Sequence, residues 1–303
     1  MTEPRPHVLI AGCGYVGQRL ALRLQSQFDV TGTVRTPARA MDLGALGIRA
    51  YILDLDRLRT ATSVPERLDQ AAIVYLAPPT PSGESDLRLD RFLQIATVPP
   101  HVFVYMSTTG VYGDTGGALV DESSPLQPRT ERARRRVSAE EMTRVWCTER
   151  RVRRVILRVP GIYGPGRLPL DRLRAREPVV REEDAGISNR IHVEDLVEAC
   201  AAAITNPEAR GVYTISDGSS ITSTAFLNAV ADIAGLPRPP QVSMEEAQLT
   251  FSPSRLSFID ESRRVSNERM LKHLGVRLKY ADYREGITAS LAEGEAEGDD
   301  VMK

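Results

Sequence analysis

The sequence predicts an α/β fold, a doubly wound parallel sheet with helices on both faces. Three observations predict it. Short apolar runs alternate with longer helical patterns through the first 165 residues. Several of these runs are apolar at consecutive positions, as strands buried on both faces are. The first run, 7–11, leads directly into a glycine-spaced turn that opens an amphipathic helix.

The strand candidates are 7–11, 29–34, 48–52, 72–76, 101–106 and 152–158, with a further one at 211–216. Helices are expected at 16–27, 84–97, 131–150 and 193–205, and later at 222–234 and 265–274. After residue 165 the rhythm changes: 166–187 is rich in Pro, Arg and Glu and reads as an excursion from the sheet. The expected division is a nucleotide-side domain of 1–165 and 188–217. A smaller C-terminal α/β domain takes 166–187 and 218–292, and 293–303 forms a flexible acidic tail.

Composition narrows the function classes. A net charge of −1 gives no reason to expect a polyanionic partner. The three cysteines, Cys13, Cys147 and Cys200, form no C-x-x-C pair, which suits a reduced, cytoplasmic setting. The four histidines show no metal-ligand spacing, and no apolar run approaches membrane-spanning length. Neither a metal, a membrane nor a nucleic acid is expected. Lysine occurs only at 272, 279 and 303, so nearly every basic residue is arginine.

Gly12-Cys13-Gly14-Tyr15-Val16-Gly17 is a G-x-G-x-x-G motif between strand and helix. The first glycine permits a tight turn, the second lets backbone approach a pyrophosphate, and the third lets helix and strand pack closely. The helix then offers free N–H groups and the positive end of its dipole to the phosphates. At the end of the second strand a binder of NAD usually carries an acid for the ribose 2′-hydroxyl. This chain has Thr33-Val34-Arg35-Thr36 there. Arg35 can pair with a 2′-phosphate and Arg39 can assist, so NADP is expected in preference to NAD.

Further segments extend the pattern: Asp54-Leu55, Tyr75-Leu76-Ala77-Pro78-Pro79, Ser107 to Asp114, Asp121 to Pro125, Arg158 to Gly166, Arg190 to Leu196 and Ser266 to Gly275. In order and spacing these resemble the extended short-chain dehydrogenase/reductases, the NAD-dependent epimerase/dehydratases, over nearly the whole chain. The resemblance implies a Rossmann domain and a C-terminal substrate domain with the substrate in the cleft between them. It implies cofactor contacts from Gly12, Gly14, Tyr15, Val16, Gly17, Asp54, Leu55, Ala77, Pro78, Pro79, Pro160 and Ile162. The family suggests a small polar substrate such as a nucleotide sugar.

The resemblance fails where the family places its acid/base pair, Tyr-x-x-x-Lys. Counting back from Glu140, Arg136 falls at the Lys position and Arg132 at the Tyr position. No Tyr lies between 113 and 162 and no Lys precedes 272, so that pair cannot form here. Arginine supplies positive charge but does not titrate near neutral pH or stand in for a phenol. Gly161 also departs, standing where Asn is usual. Thr108 matches the family's substrate-side hydroxyl, and Tyr112 could serve as an alternative acid. Each also reads as plain structure, a strand-end hydroxyl and a packed aromatic. The expectation is therefore an atypical oxidoreductase of epimerase/dehydratase type, or a dinucleotide-binding sensor or scaffold that has lost catalysis.

Residues 129–154 carry ten arginines, interspersed with glutamates and with an apolar side at Met142, Val145 and Trp146. This reads as an amphipathic surface helix. The family builds its homodimer on this helix, which makes Val145 and Trp146 candidates for a partner contact. His192 is expected to be structural, and Cys13 to pack as a small residue.

Overall fold

A computed structural model describes residues 5–58 and 72–300. Its first half alternates β1 (His7–Ala11), α1 (Tyr15–Leu24), β2 (Asp29–Val34), α2 (Pro37–Ala45), β3 (Arg49–Ile52), β4 (Ala72–Tyr75), α3 (Leu87–Ile95) and β5 (Val102–Thr108). Then come β6 (Leu119–Val120), α4 (Glu131–Glu149), β7 (Arg153–Val159) and β8 (Gly161–Tyr163), followed by α5 (Leu170–Arg174), β9 (Val179–Val180), β10 (Ile187–Ser188) and β11 (Arg190–His192). The remainder is α6 (Val193–Thr205), β12 (Gly211–Thr214), β13 (Ile221–Thr222), α7 (Ser223–Ile233), β14 (Gln241–Val242), α8 (Met244–Thr250), α9 (Pro253–Ile259), β15 (Arg264–Val265) and α10 (Tyr283–Asp300).

Among the described residues, seven strands form one parallel sheet in the order β12-β7-β5-β4-β1-β2-β3. The chain runs outward from β1 to β3, then returns to β4 on the other side of β1. That reversal makes the carboxyl ends of β1 and β4 a topological switch point, where open α/β sheets hold their ligands.

The apolar runs face both ways. Val8 and Ile10 pack beneath α1 and α6, while Leu9 joins Tyr75, Phe92, Phe103 and Tyr105 beneath α3 and α4. Period-two alternation between two buried faces is why these strands read as continuous hydrophobic runs. Helix starts follow local chemistry. Asp86 caps α3 through the N–H groups of Arg88 and Leu89, and Thr130 caps α4 through that of Ala133.

A further core lies beyond the sheet, with Tyr163, Leu173, Val179, Phe226, Val230, Tyr283 and Ile287 packed together. It joins the excursion after residue 165 to α7 and α10. Short pairs, β9 with β14 and β10 with β13, stitch the excursion to later segments.

Two expectations change. The helix read at 265–274 is split: Arg264–Val265 pairs with Leu119–Val120, and the chain winds only from Glu268, ending in a π-helical turn, Met270–Leu274, closed by Gly275 at φ +77. The 3.6-period pattern could not reveal that Val265 is claimed by a strand far away in sequence. Trp146 points inward, against Phe103 (ring centroids 5.6 Å apart), with its indole N–H donated to the Leu93 carbonyl. It is therefore a core residue and not a partner contact; Val145 stays on the surface. The helix α10 runs through the acidic stretch as far as Asp300, and 301–303 lie outside the described residues. No helix among the described residues is long and apolar enough to cross a membrane.

Candidate functional site

The glycine turn sits at the switch point. Gly12 has φ +91, and a Cβ there would lie 2.6 Å from the backbone N of Ala77. The turn after β1 thus presses against the chain leaving β4, an approach only glycine permits. A Cβ on Gly17 would lie 3.0 Å from Ile10, so the third glycine sets the helix-to-strand distance. Gly14 differs: a Cβ there would meet nothing within 4 Å. It faces open space at the start of α1, where Gln18 is the first N–H to find its intrahelical acceptor, Gly14 O. The amides of the first turn have no intrahelical acceptor, which leaves them for an anion.

That open space is a cavity of about 490 Å³. Gly12, Gly14, Tyr15, Val16, Gly17, Arg35, Arg39, Leu55, Ala77, Pro78 and Ile162 line it, eleven of the fourteen residues expected to meet a cofactor. Asp54, Pro79 and Pro160 do not. The Asp54 carboxylate accepts the N–H of Asp56 in its own turn. Pro79 gives its carbonyl to Arg88, and Pro160 lines a second cavity. Arg35 stands exposed at the end of β2 with no ion pair among the described residues, whereas Arg39 pairs with Asp42 at 2.9 Å. Among the described residues, no carboxylate lines this cavity.

Arg88 and Arg167 line the cavity but were missed. Arg88 is held by Asp56 in a two-pronged pair (2.8 and 2.5 Å) and donates to the Pro78 and Pro79 carbonyls. The pair fixes the loop after β4 against the loop after β3. Nothing in the local sequence ties residues 56 and 88 together. Arg167 lies 4.7 Å from the Tyr15 ring centroid, with Arg19 on the same ring at 4.1 Å. Cys13 lies in the turn, its thiol pushed up to about 11 by burial, and it packs on Gly32.

The second cavity, about 450 Å³, adjoins the first through shared lining residues Ile162 and Arg167. Thr108 lines it, and its hydroxyl accepts the Gly110 N–H at 3.2 Å. That leaves the hydroxyl proton available to another acceptor. Arg132 also lines it.

Tyr112 reaches neither cavity. It is fully buried, its hydroxyl 3.0 Å from both Thr214 Oγ1 and Arg158. With its hydroxyl tied up away from both cavities, it does not take the role of alternative acid; burial also raises its pKa. Tyr112 belongs to a buried network: Ser107 donates to Glu140 at 2.5 Å, and Glu140 accepts two hydrogen bonds from Arg158. Arg136 lines neither cavity; its guanidinium donates to the Tyr105 hydroxyl and the Met106 carbonyl, stiffening the end of β5. The tyrosines that do line the cavities turn their hydroxyls elsewhere. That of Tyr15 donates to the Pro165 carbonyl, and that of Tyr163 lies against Gly286. Among the described residues, no lysine lines either cavity.

A model of the NAD-dependent epimerase/dehydratase family matches residues 8–216. The chain belongs to this family. The protein YeeZ of Escherichia coli (strain K12) is 28% identical over 285 residues, covering 91% of this chain and 96% of that one. A solved structure described as a functionally unknown conserved protein from Silicibacter pomeroyi DSS is 31% identical, with a TM-score of 0.81. It covers 96% of this chain and 99% of its own. MoeE5, solved in complex with UDP-glucose and NAD, superposes with a TM-score of 0.76 at 20% identity over the same shares, a likeness of fold.

Proposed function

We propose that this chain is a dinucleotide-dependent oxidoreductase of epimerase/dehydratase type, preferring NADP, that acts on a small polar substrate in the second cavity. The observation that carries the reading is the first cavity. A glycine whose missing side chain opens onto it, Gly14, faces the phosphate end, and Arg35, with no ion pair among the described residues, stands at the end of β2 where an acid would reject a 2′-phosphate. Gly12, Gly14, Tyr15, Val16 and Gly17 would hold the pyrophosphate. Arg35, with Arg39, would receive the 2′-phosphate, and Leu55, Ala77 and Pro78 would flank the adenosine. The bound nicotinamide supplies hydride chemistry.

The active site is non-standard. Thr108 is the hydroxyl at the wall of the second cavity and would orient the substrate's reacting oxygen. Arg136 sits at the position of the family's lysine and acts from behind, by holding the end of β5 through Tyr105 and Met106. The sheet with its flanking helices forms the cofactor half, and the segments built around α7 and α10 close the substrate half. A homodimer through the exposed face of α4 is part of this reading. A nucleotide sugar is the substrate class that the family suggests.

Among the described residues no lysine lines either cavity, and the tyrosyl hydroxyls there turn to Pro165 and Gly286; this favours a second reading, a dinucleotide-binding sensor without turnover. Two experiments test these readings. Titration with NADPH and NADH checks the cofactor: a preference of about tenfold or more for NADPH should collapse in Arg35→Ala, since a charge-assisted hydrogen bond contributes about 1.5–3 kcal/mol. Equal affinities in the wild type would sink the NADP assignment. Product analysis after incubation with nucleotide and nucleotide sugars, with absorbance at the reduced-nicotinamide band to catch net oxidation or reduction, then separates enzyme from sensor. Turnover lost in Thr108→Val with nucleotide affinity kept supports the enzyme, and no turnover with any of them supports the sensor.

A further inference from the structure

The second cavity carries an uncompensated positive charge. Six arginines line it, at 132, 167, 172, 190, 255 and 263, with one carboxylate, Glu261. Three of the six are ion-paired, with two carboxylates between them. Arg263 pairs with Glu261 at 2.5 Å, while Arg172 and Arg255 share Glu177 at 2.9 and 3.8 Å. Arg132, Arg167 and Arg190 have no ion pair among the described residues. Instead each guanidinium lies against an aromatic ring: Arg132 on Phe258 at 3.9 Å, Arg190 on Phe226 at 4.8 Å and Arg167 on Tyr15 at 4.7 Å. Stacking fixes the plane of a guanidinium and leaves its N–H edge free to donate.

Arg190 stands out among these. Its one side-chain hydrogen bond goes to the carbonyl of its neighbour Asn189, at 3.1 Å. Burial lowers its pKa, and the nearby Asp217 offsets this without forming an ion pair; an Asp217 oxygen is instead taken by the Ser219 N–H and hydroxyl. A partly buried cation whose nearby carboxylate makes no ion pair with it keeps charge to offer, and an incoming anion can meet it. The room it occupies has a cause. A Cβ on Gly161 would lie 2.7 Å from the Arg190 guanidinium and 3.3 Å from its Cδ. Any side chain at 161 would push Arg190 away, so the glycine and the arginine make one feature. It adjoins Ile162, which lines both cavities. The charge therefore lies at the wall next to the cofactor cavity.

From this geometry we infer that the substrate bears a compact anionic group, a carboxylate or a phosphate, received in the second cavity by Arg190 together with Arg132, with Gly161 leaving the space. The inference deepens the proposed function and rests on it for the word substrate. The anion site itself stands on the arginines alone. Arg132, at the position of the family's tyrosine, then serves to hold charge and not to move a proton.

The test is calorimetric titration of the NADPH-saturated protein with inorganic phosphate and, separately, with malonate, at low ionic strength. Saturating nucleotide blocks the glycine turn, so a phosphate bound there does not contribute. The wild type should bind at least one of the two anions saturably, and which one it binds identifies the anionic class. Arg190→Met should weaken that binding at least tenfold. Gly161→Asn should do the same by displacing Arg190, while both variants keep wild-type NADPH affinity and melting temperature. Arg174→Met, on a surface arginine outside both cavities, should leave anion binding unchanged. No saturable binding of either anion, or affinities within twofold of wild type in both Arg190→Met and Gly161→Asn, would overturn the inference. If NADPH itself fails to bind, the proposed function falls. The same anion titrations on the protein alone, read as the difference between wild type and Arg190→Met, still decide the site, because Arg190 lies outside the first cavity.

Discussion

Glu140 and Arg158 form a buried ion pair at 2.8 Å, with side chains 8% and 5% exposed, between helix α4 and strand β7. Burial alone would lower the Arg158 pKa, but the hydrogen bonds and charge of Glu140 hold it above its ordinary value. Through Ser107 on one side and Tyr112 on the other, the pair fixes the strand end from which Thr108 emerges. Removing one partner leaves a buried charge uncompensated, at a cost of about 3–5 kcal/mol. Glu140→Ala should therefore lower the unfolding free energy in urea by that amount. A loss under about 1 kcal/mol would mean that the pair is dispensable.

Gly12 and Gly14 should fail differently. A Cβ on Gly12 meets Ala77 backbone at 2.6 Å, in a left-handed conformation. Gly12→Ala should destabilise the fold by about 1–3 kcal/mol from backbone strain alone, more with the clash. Gly14→Ala meets nothing, at φ −94, and should melt like the wild type while weakening nucleotide binding. Thermal melts of the two variants side by side check this. Equal melting temperatures would refute the close contact at Gly12.

His192 and Asp217 give opposing pH dependences. His192 is buried, its Nδ1 accepting the Glu194 N–H and its Nε2 facing Ser290, and burial lowers its pKa to about 4 from 6.5. Because the unfolded chain binds the proton that the fold refuses, the stability His192 contributes is complete above pH 6.5 and lost as pH falls towards 4. Burial raises Asp217 to about 6 from 3.8, so its contribution is complete below pH 3.8 and lost as pH rises through 6. At 1.36 kcal/mol per pKa unit each amounts to roughly 3 kcal/mol, and the two nearly cancel between pH 4 and 6. Asp217→Asn should unmask the histidine, with stability falling as pH drops from 6.5 to 4. His192→Gln should show the reverse. Parallel curves for both variants and the wild type would contradict these assignments.

The three thiols should be unreactive. Cys13, Cys147 and Cys200 are buried, and burial pushes them up to about 11, 12 and 12. With so little thiolate, labelling by a thiol reagent at pH 7 should require unfolding. Stoichiometric labelling of the folded protein within minutes would contradict the packing of Cys13 against Gly32.

What the sequence made legible follows from range. The sheet was readable because each strand's apolar run is a local property, and the phosphate turn because Gly12, Gly14 and Gly17 lie within six residues. The roles of Tyr112 and Trp146 were not readable locally. One is decided by Thr214, 102 residues away, and the other by Leu93, 53 residues away. The brace of Arg88 on Asp56 joins the start of α3 to the loop after β3, segments whose proximity exists only in the folded sheet. Gly161 was visible as a departure. That its empty volume belongs to Arg190 depends on the parallel pairing of β8 with β11.

The central claim is that the turn Gly12–Gly17 holds a nicotinamide dinucleotide. Calorimetric titration of wild type and Gly14→Val with NADPH tests it most directly, because the added side chain enters the cavity without touching the fold. The account predicts saturable one-to-one binding in the wild type and a loss of at least tenfold in the variant, at unchanged melting temperature. No binding by the folded wild type, or undiminished binding by Gly14→Val, would contradict it.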